Sequence, residues 1–203
     1  MGTNKNGNGI CRIVLTGGPG AGKSTAADLL RREVGDRIVV VPEAATLLFT
    51  GGFPRVDNHA GQKAAQHAIY HVQRNLENVI SRTYRNRILL CDRGTLDGAG
   101  YWPDGPESFF DDLNTTMELE LSRYDAVLFF ESAALGGKSI EGGNPVRIET
   151  LDEAIQLDEK LKAIWSNHRN FHIVRHENSF FMKLQRALEI LNKIVDQHSL
   201  GQC

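Results

Sequence analysis

Cysteine is scarce, with three in 203 residues: Cys11, Cys91 and Cys203. Cys11 and Cys91 sit in or beside apolar runs, where free thiols behave as small hydrophobes. Their spacing forms neither a disulfide framework nor a paired-cysteine zinc site. This fits a reducing compartment, and a cytoplasmic location is expected. Residues 1–10 are rich in Asn and Gly, lack the apolar run of a secretory signal, and read as a flexible N-terminal segment. No stretch approaches the roughly 20 apolar residues of a bilayer-crossing helix, so no membrane span is expected. Excess charge is missing too. The formal net charge of −2 supplies no global field for a polyanion, and no nucleic-acid partner is expected.

What is present suits an ordinary core. Hydrophobic residues make up 41% and charged residues 24%, a globular balance. The length favours one domain, here 11–198. Five strand-length apolar runs stand out: Arg12–Thr16, Arg37–Val41, Ile88–Cys91, Ala126–Glu131 and Phe171–Arg175. Their unbroken apolarity suits a sheet buried on both faces. Helical patterns fall between them, over Lys23–Val34, Asn58–Tyr84, Leu151–His168 and Phe180–Gln197. Strands alternating with helices predict an α/β fold with a parallel, doubly wound sheet. Two stretches break the rhythm. Tyr101–Pro106 is turn-rich, and the segment about 132–150, with Gly136-Gly137 and Gly142-Gly143, reads as a small lid.

The strongest motif is Gly17-Gly18-Pro19-Gly20-Ala21-Gly22-Lys23-Ser24, followed by Thr25, between a predicted strand and a predicted helix. Strand, loop and helix in that order are the context a phosphate-binding loop requires. Glycines let the backbone curl until successive amides face phosphate oxygens, and the helix N-terminus adds positive potential. Lys23 is expected to reach the β- and γ-phosphates of ATP or GTP, and Ser24 to offer its hydroxyl to Mg2+. Asp92 ends the third apolar run, where a carboxylate holds magnesium directly or through water. The competing role for Asp92 is to cap the next segment.

Other candidates face the second substrate. Glu43 follows the second apolar run, at the carboxyl-end crevice where ligands collect in open α/β sheets. There it would accept a proton or bind a sugar, or else stabilise a first helical turn. Arg93 would contact a phosphate or the acceptor, or form a structural ion pair. Asp97 is a candidate acceptor ligand, and Tyr101 and Trp102 are candidate stacking partners for a flat ring, against the alternative of a packed surface loop. Arg147, after the glycine-rich stretch, would bring positive charge to a transferring phosphoryl group on a closing lid, or pair with Glu149 or Asp152. His67 and His71 share a helix face without a third metal ligand, so helix-surface or pocket-wall roles are expected. Lys183 and Arg186 read as a solvated face. Asn178 is a weak candidate for a base contact.

The glycine loop, Pro42-Glu43-Ala44, Asp92-Arg93-Gly94 and Tyr124-Asp125-Ala126-Val127 resemble the small P-loop kinases. Asn144-Pro145-Val146-Arg147-x-Glu149, Leu157-Asp158 and Trp165-x-x-His168 resemble their NadR-like ATPase branch. That branch includes ribosylnicotinamide-kinase domains and the P-loop domain of the TRPL translocation defect family. The resemblance runs from Arg12 to Val195. It implies a P-loop NTPase with a three-layer α/β/α architecture and a five-stranded parallel sheet ordered 2-3-1-4-5. It further implies phosphate and magnesium roles for Lys23 and Ser24, support of magnesium by Asp92, a base or sugar contact for Glu43, and a lid role for Arg147. The leading expectation is a kinase moving the γ-phosphoryl group of ATP or GTP to a small acceptor. The alternative is a nucleotide-dependent switch regulating a protein or lipid partner.

Overall fold

Apolar runs of four or five residues build the centre of the molecule. The computed structural model describes residues 10–133, 150–177 and 179–199. Strands β1 (Arg12–Thr16), β2 (Ile38–Val41), β3 (Ile88–Asp92), β4 (Ala126–Phe130) and β5 (Phe171–Val174) form one parallel sheet, ordered β2-β3-β1-β4-β5. That is the expected order. Every residue of β3 and β4 is buried, as a sheet covered on both faces demands.

Helices α1 (Lys23–Val34) and α8 (Phe180–Ser199) cover one face, packing Ala26, Ala27, Leu30, Ala187 and Leu191 onto Ile13, Leu15, Leu90 and Leu128. The opposite face is covered by α3 (His59–Thr83), α4 (Asp97–Gly100), α5 (Pro106–Asp112) and α7 (Leu151–Trp165), with Tyr70, Phe109, Leu161 and Trp165 against Val14, Leu89 and Phe129. Two further short helices are α2 (Ala44–Thr50) and α6 (Met117–Leu121). Ile10, expected in the flexible N-terminal segment, is buried in the second cluster.

Caps explain where the long helices begin. The Asn58 side chain accepts from Gly61 N and opens α3. Thr150 and Glu153 form a reciprocal capping box that opens α7. Arg31 and Arg32 lie in the last turn of α1, where cations complement the helix dipole.

Several sequence readings change. The turn-rich Tyr101–Pro106 lies between the short helices α4 and α5, which with α6 lack a long apolar period and were not expected. Trp102 is buried there, edge-on to Phe109 and unable to stack on a ligand in solvent. Lys183 is not on a solvated face: it is 4% exposed, whereas the Arg186 side chain is 69% exposed. Position along α8 explains this, because Lys183 lies one turn into the helix where it crosses the phosphate loop. Residues 134–149, with Arg147 and most of the expected lid, lie outside the described residues, as do Asn178 and Cys203.

Candidate nucleotide and acceptor site

The loop from Gly17 to Gly22 leaves β1 and enters α1 with positive φ at Gly17, Gly20 and Gly22. At Gly17 the requirement is one of space, since a Cβ there would lie 2.0 Å from the Phe130 carbonyl oxygen of the neighbouring strand. Lys23 is buried, and its ammonium donates to the Gly17 and Gly18 carbonyls, both at 2.8 Å. The loop is also held from outside. Gly18 N donates to Asp158 Oδ1 at 2.7 Å, Ser132 Oγ donates to the Pro19 carbonyl at 2.6 Å, and Lys183 Nζ donates to the Ala21 carbonyl at 2.9 Å. Ser24 and Thr25 are exposed at the start of α1.

Asp92 sits beside this loop because β3 is paired directly with β1, with Asp92 opposite Leu15. Ser24 lies close enough to its carboxylate to pull its pKa down, while Oδ1 is buried without a partner. Burial pushes its pKa up and Glu43 pushes the same way, against the pull of Ser24, Lys23 and Arg93. An orphaned carboxylate oxygen next to a hydroxyl and a phosphate loop suits a magnesium ion, which takes few protein ligands and completes its shell with phosphates and water. The described residues hold no cluster of three or more His, Cys, Asp or Glu able to bind a metal alone.

Arg93 lies between the phosphate loop and the carboxylates of Glu43 and Asp97. Its backbone is left-handed, with φ 69°, and its surroundings hold it there. Arg93 N donates to Leu15 O, its carbonyl accepts from Gln73 Nε2, and the next amides donate to Asp97 and the Tyr124 hydroxyl. The guanidinium bonds Glu43 Oε1 at 2.5 Å and Asp97 Oδ1 at 2.8 Å, and lies 5.6 Å from the Tyr101 ring centroid. Burial opposes Glu43 ionisation. Arg93, Thr46 and Lys23 outweigh it and leave that carboxyl below its ordinary pKa. Glu43 is the N-cap residue of α2 without a capping side-chain bond, so its carboxylate is turned to Arg93 and Thr46. Both Asp97 oxygens are engaged, by Thr16, Arg93 and Gly94 N.

A cavity of about 740 Å3 opens beside these groups. It runs from Pro19 past Glu43, Arg93, Asp97 and Tyr101 to Gln66 on α3 and Phe49 on α2. The structure therefore gathers Glu43, Arg93, Asp97 and Tyr101 around one space next to the phosphate loop. His67 lies near Trp102, with ring centroids 5.4 Å apart, and His71 is exposed.

Behind Arg93 lies a polar network that leaves no periodic sign in the sequence. Glu120 accepts from Tyr70, Thr95 and Thr115, while Glu77 accepts from Tyr124, Gln73 and Arg123. Trp165 packs on Tyr124 and on Gly94, where a Cβ would meet its ring at 2.8 Å. His168 Nδ1 accepts from Asn170 N, which leaves Nε2–H to donate to the Tyr124 carbonyl.

Residues 12–180 match the sequence profile of a family described as an AAA domain. The chain belongs to that family. Among solved structures, this AAA domain is similar to deoxyadenosine kinase from M. mycoides with bound dATP. That likeness has a TM-score of 0.60 and 14% identity, and covers 89% of this chain and 99% of the other. At that identity it shows the fold, an α/β P-loop NTPase. No curated protein matches the chain. No helix among the described residues is long and apolar enough to cross a membrane.

Proposed function

We propose that this AAA domain is a phosphotransferase that moves the γ-phosphoryl group of ATP or GTP to the hydroxyl of a small, nucleoside-like acceptor. The observation that carries the reading is the cavity continuous with the phosphate loop, with Glu43 and Arg93 at their junction. A protein that only senses a triphosphate has no use for a second buried space there.

In this reading the amides of Gly20 to Ser24 and the Lys23 ammonium bind the triphosphate, and Arg147 adds positive charge to the reacting phosphoryl group. Ser24 and Asp92 would hold Mg2+, which when bound would neutralise charge on the phosphate oxygens. The acceptor oxygen forms a bond to the γ-phosphorus as the bond to the β,γ-bridging oxygen breaks, releasing the nucleoside diphosphate. Glu43, ionised at neutral pH, accepts the hydrogen bond that orients the hydroxyl and takes its proton. A low pKa is tolerable for that role, because a loose transition state for phosphoryl transfer asks little of the base. Arg93, Asp97 and Tyr101 shape the acceptor side, with Asp97 acting through Arg93. We assign the chain within the P-loop kinases to the NadR-like branch. The contacts of Asp158 with Gly18 and of Trp165 with Gly94 support this, since two of the branch motifs then brace the site.

Glu43→Gln tests the reading. With an acceptor found by screening nucleosides and vitamin-like alcohols, acceptor-dependent turnover should fall by on the order of a hundredfold, with MgATP affinity nearly unchanged. Turnover that is indifferent to every acceptor and to Glu43→Gln would favour the switch instead.

A further inference from the structure

We propose that Lys183 on α8 is a positioning residue for nucleotide binding, holding the Ala21–Gly22 peptide so that the Gly22 amide faces the phosphate site. This rests on triphosphate binding at the loop and not on the identity of any acceptor.

The geometry is that of a single peptide plane. The described chain has no cis peptide bond, and in a trans peptide the carbonyl and the following N–H point in opposite directions. Lys183 Nζ donates to the Ala21 carbonyl at 2.9 Å and to the Glu131 carbonyl at 2.6 Å. The Ala21 carbonyl is therefore drawn out toward α8, and the Gly22 N–H is turned inward. Gly22, at φ 80°, has no side chain to fix its peptide, and a Cβ there would meet the Phe180 ring at 2.6 Å. Ser132 acts in the same sense on the preceding turn, drawing out the Pro19 carbonyl and turning the Gly20 amide inward. Gly18 N is different: Asp158 occupies it, so it is not offered to a phosphate.

A buried cation is costly unless it is used. Lys183 is 4% exposed and lies over the Phe130 ring at 5.4 Å. The charged groups facing it are Asp158 of α7 and Glu131 after β4. Glu131 is itself engaged by Lys162 at 3.2 Å and by His176 N at 3.1 Å. Asp158 is shared with the phosphate loop and lies within the field of Lys23. Burial outweighs the two acidic neighbours and lowers the Lys183 pKa to about 8. Its charge is thus present at neutral pH, assists both hydrogen bonds, and adds to the potential at the phosphates. Above that pH the bonds become neutral and the potential declines.

The test is MgATP and MgGTP affinity by calorimetry on the full chain, from pH 7 to 9.5. In the unmodified protein, affinity should weaken by about tenfold across this range. Lys183→Met should weaken it by at least about tenfold at pH 7 and flatten the profile. Lys183→Arg, which keeps its charge throughout, should bind within about threefold of the unmodified protein at pH 7 and show a flat profile. Unchanged affinity in a folded Lys183→Met protein would overturn the proposal alone. Should that variant fail to fold, equal pH profiles for the unmodified protein and Lys183→Arg would overturn it instead. Failure of the unmodified protein to bind either nucleotide would remove the site itself and this proposal with it.

Discussion

A carboxylate oxygen buried without a partner, as Asp92 Oδ1 is, costs stability until a cation or proton reaches it. Its folded pKa lies above the ordinary value of 3.8, so the folded chain binds more protons than the unfolded one between those two values. Stability therefore falls as pH rises through that window. Asp92→Asn should leave the melting midpoint at pH 7 equal or up to about 4 °C higher, an effect of roughly 1 kcal/mol. The magnesium dependence of nucleotide affinity should decline in the same variant. A collapsed midpoint with magnesium dependence intact would make Asp92 a structural residue. Lys23→Ala should weaken MgATP or MgGTP binding by at least about tenfold, read by calorimetry, through loss of both its phosphate contact and its hold on Gly17 and Gly18. At this scale the sequence was informative where chemistry is local. A glycine loop between a strand and a helix announces itself, and so does an acid at a strand tip. Asp158, Ser132 and Lys183 could not be read that way, because each reaches the loop from more than 100 residues away.

Elements follow the same division. All five strands and the four long helices were legible, since each carries a run or period long enough to decide its type. Helix α2 and the short helices α4 to α6 were not, because four to seven residues are too few for a period, and their burial is set by neighbours. The capping box of Thr150 and Glu153, not read from the sequence, fixes the start of α7. The network of Glu77, Glu120 and Tyr124 had none, since helix α3 alone looks amphipathic and does not reveal which of its polar residues turn inward. Tyr124→Phe tests what this network does between elements. It leaves Thr95 N without its acceptor and Glu77 without one donor, a cost of about 1–3 kcal/mol. Thermal melting should drop by several degrees. Acceptor-dependent turnover should fall further than MgATP affinity, because the loosened turn carries Arg93 and not Lys23. An equal loss in both would mean that the network only stabilises the fold.

For the whole molecule, the buried Lys183 links stability and binding with opposite signs. Its folded pKa of about 8 lies below the ordinary 10.5, so the folded state binds fewer protons between those values. Stability from this group therefore rises as pH climbs through that window, while the proposed nucleotide affinity falls. Denaturant melts at pH 7.5 and 9.5 should show the unmodified protein gaining on Lys183→Met. A constant difference would mean that Lys183 does not titrate in this range. The sheet order makes this linkage possible, since it sets β1 between β3 and β4 and so brings both covering layers to one loop.

The hold of Lys23 on its own loop also bears on the tempo of binding. Its ammonium already rests on two carbonyls of its own loop, so an arriving triphosphate displaces ready-made bonds and does not meet an idle charge. Arrival becomes an exchange, and departure is eased because the same carbonyls stand ready to take the ammonium back. Under the proposed phosphotransfer, a loop built this way would release spent nucleotide without passing through a state in which a buried cation has nothing to hold.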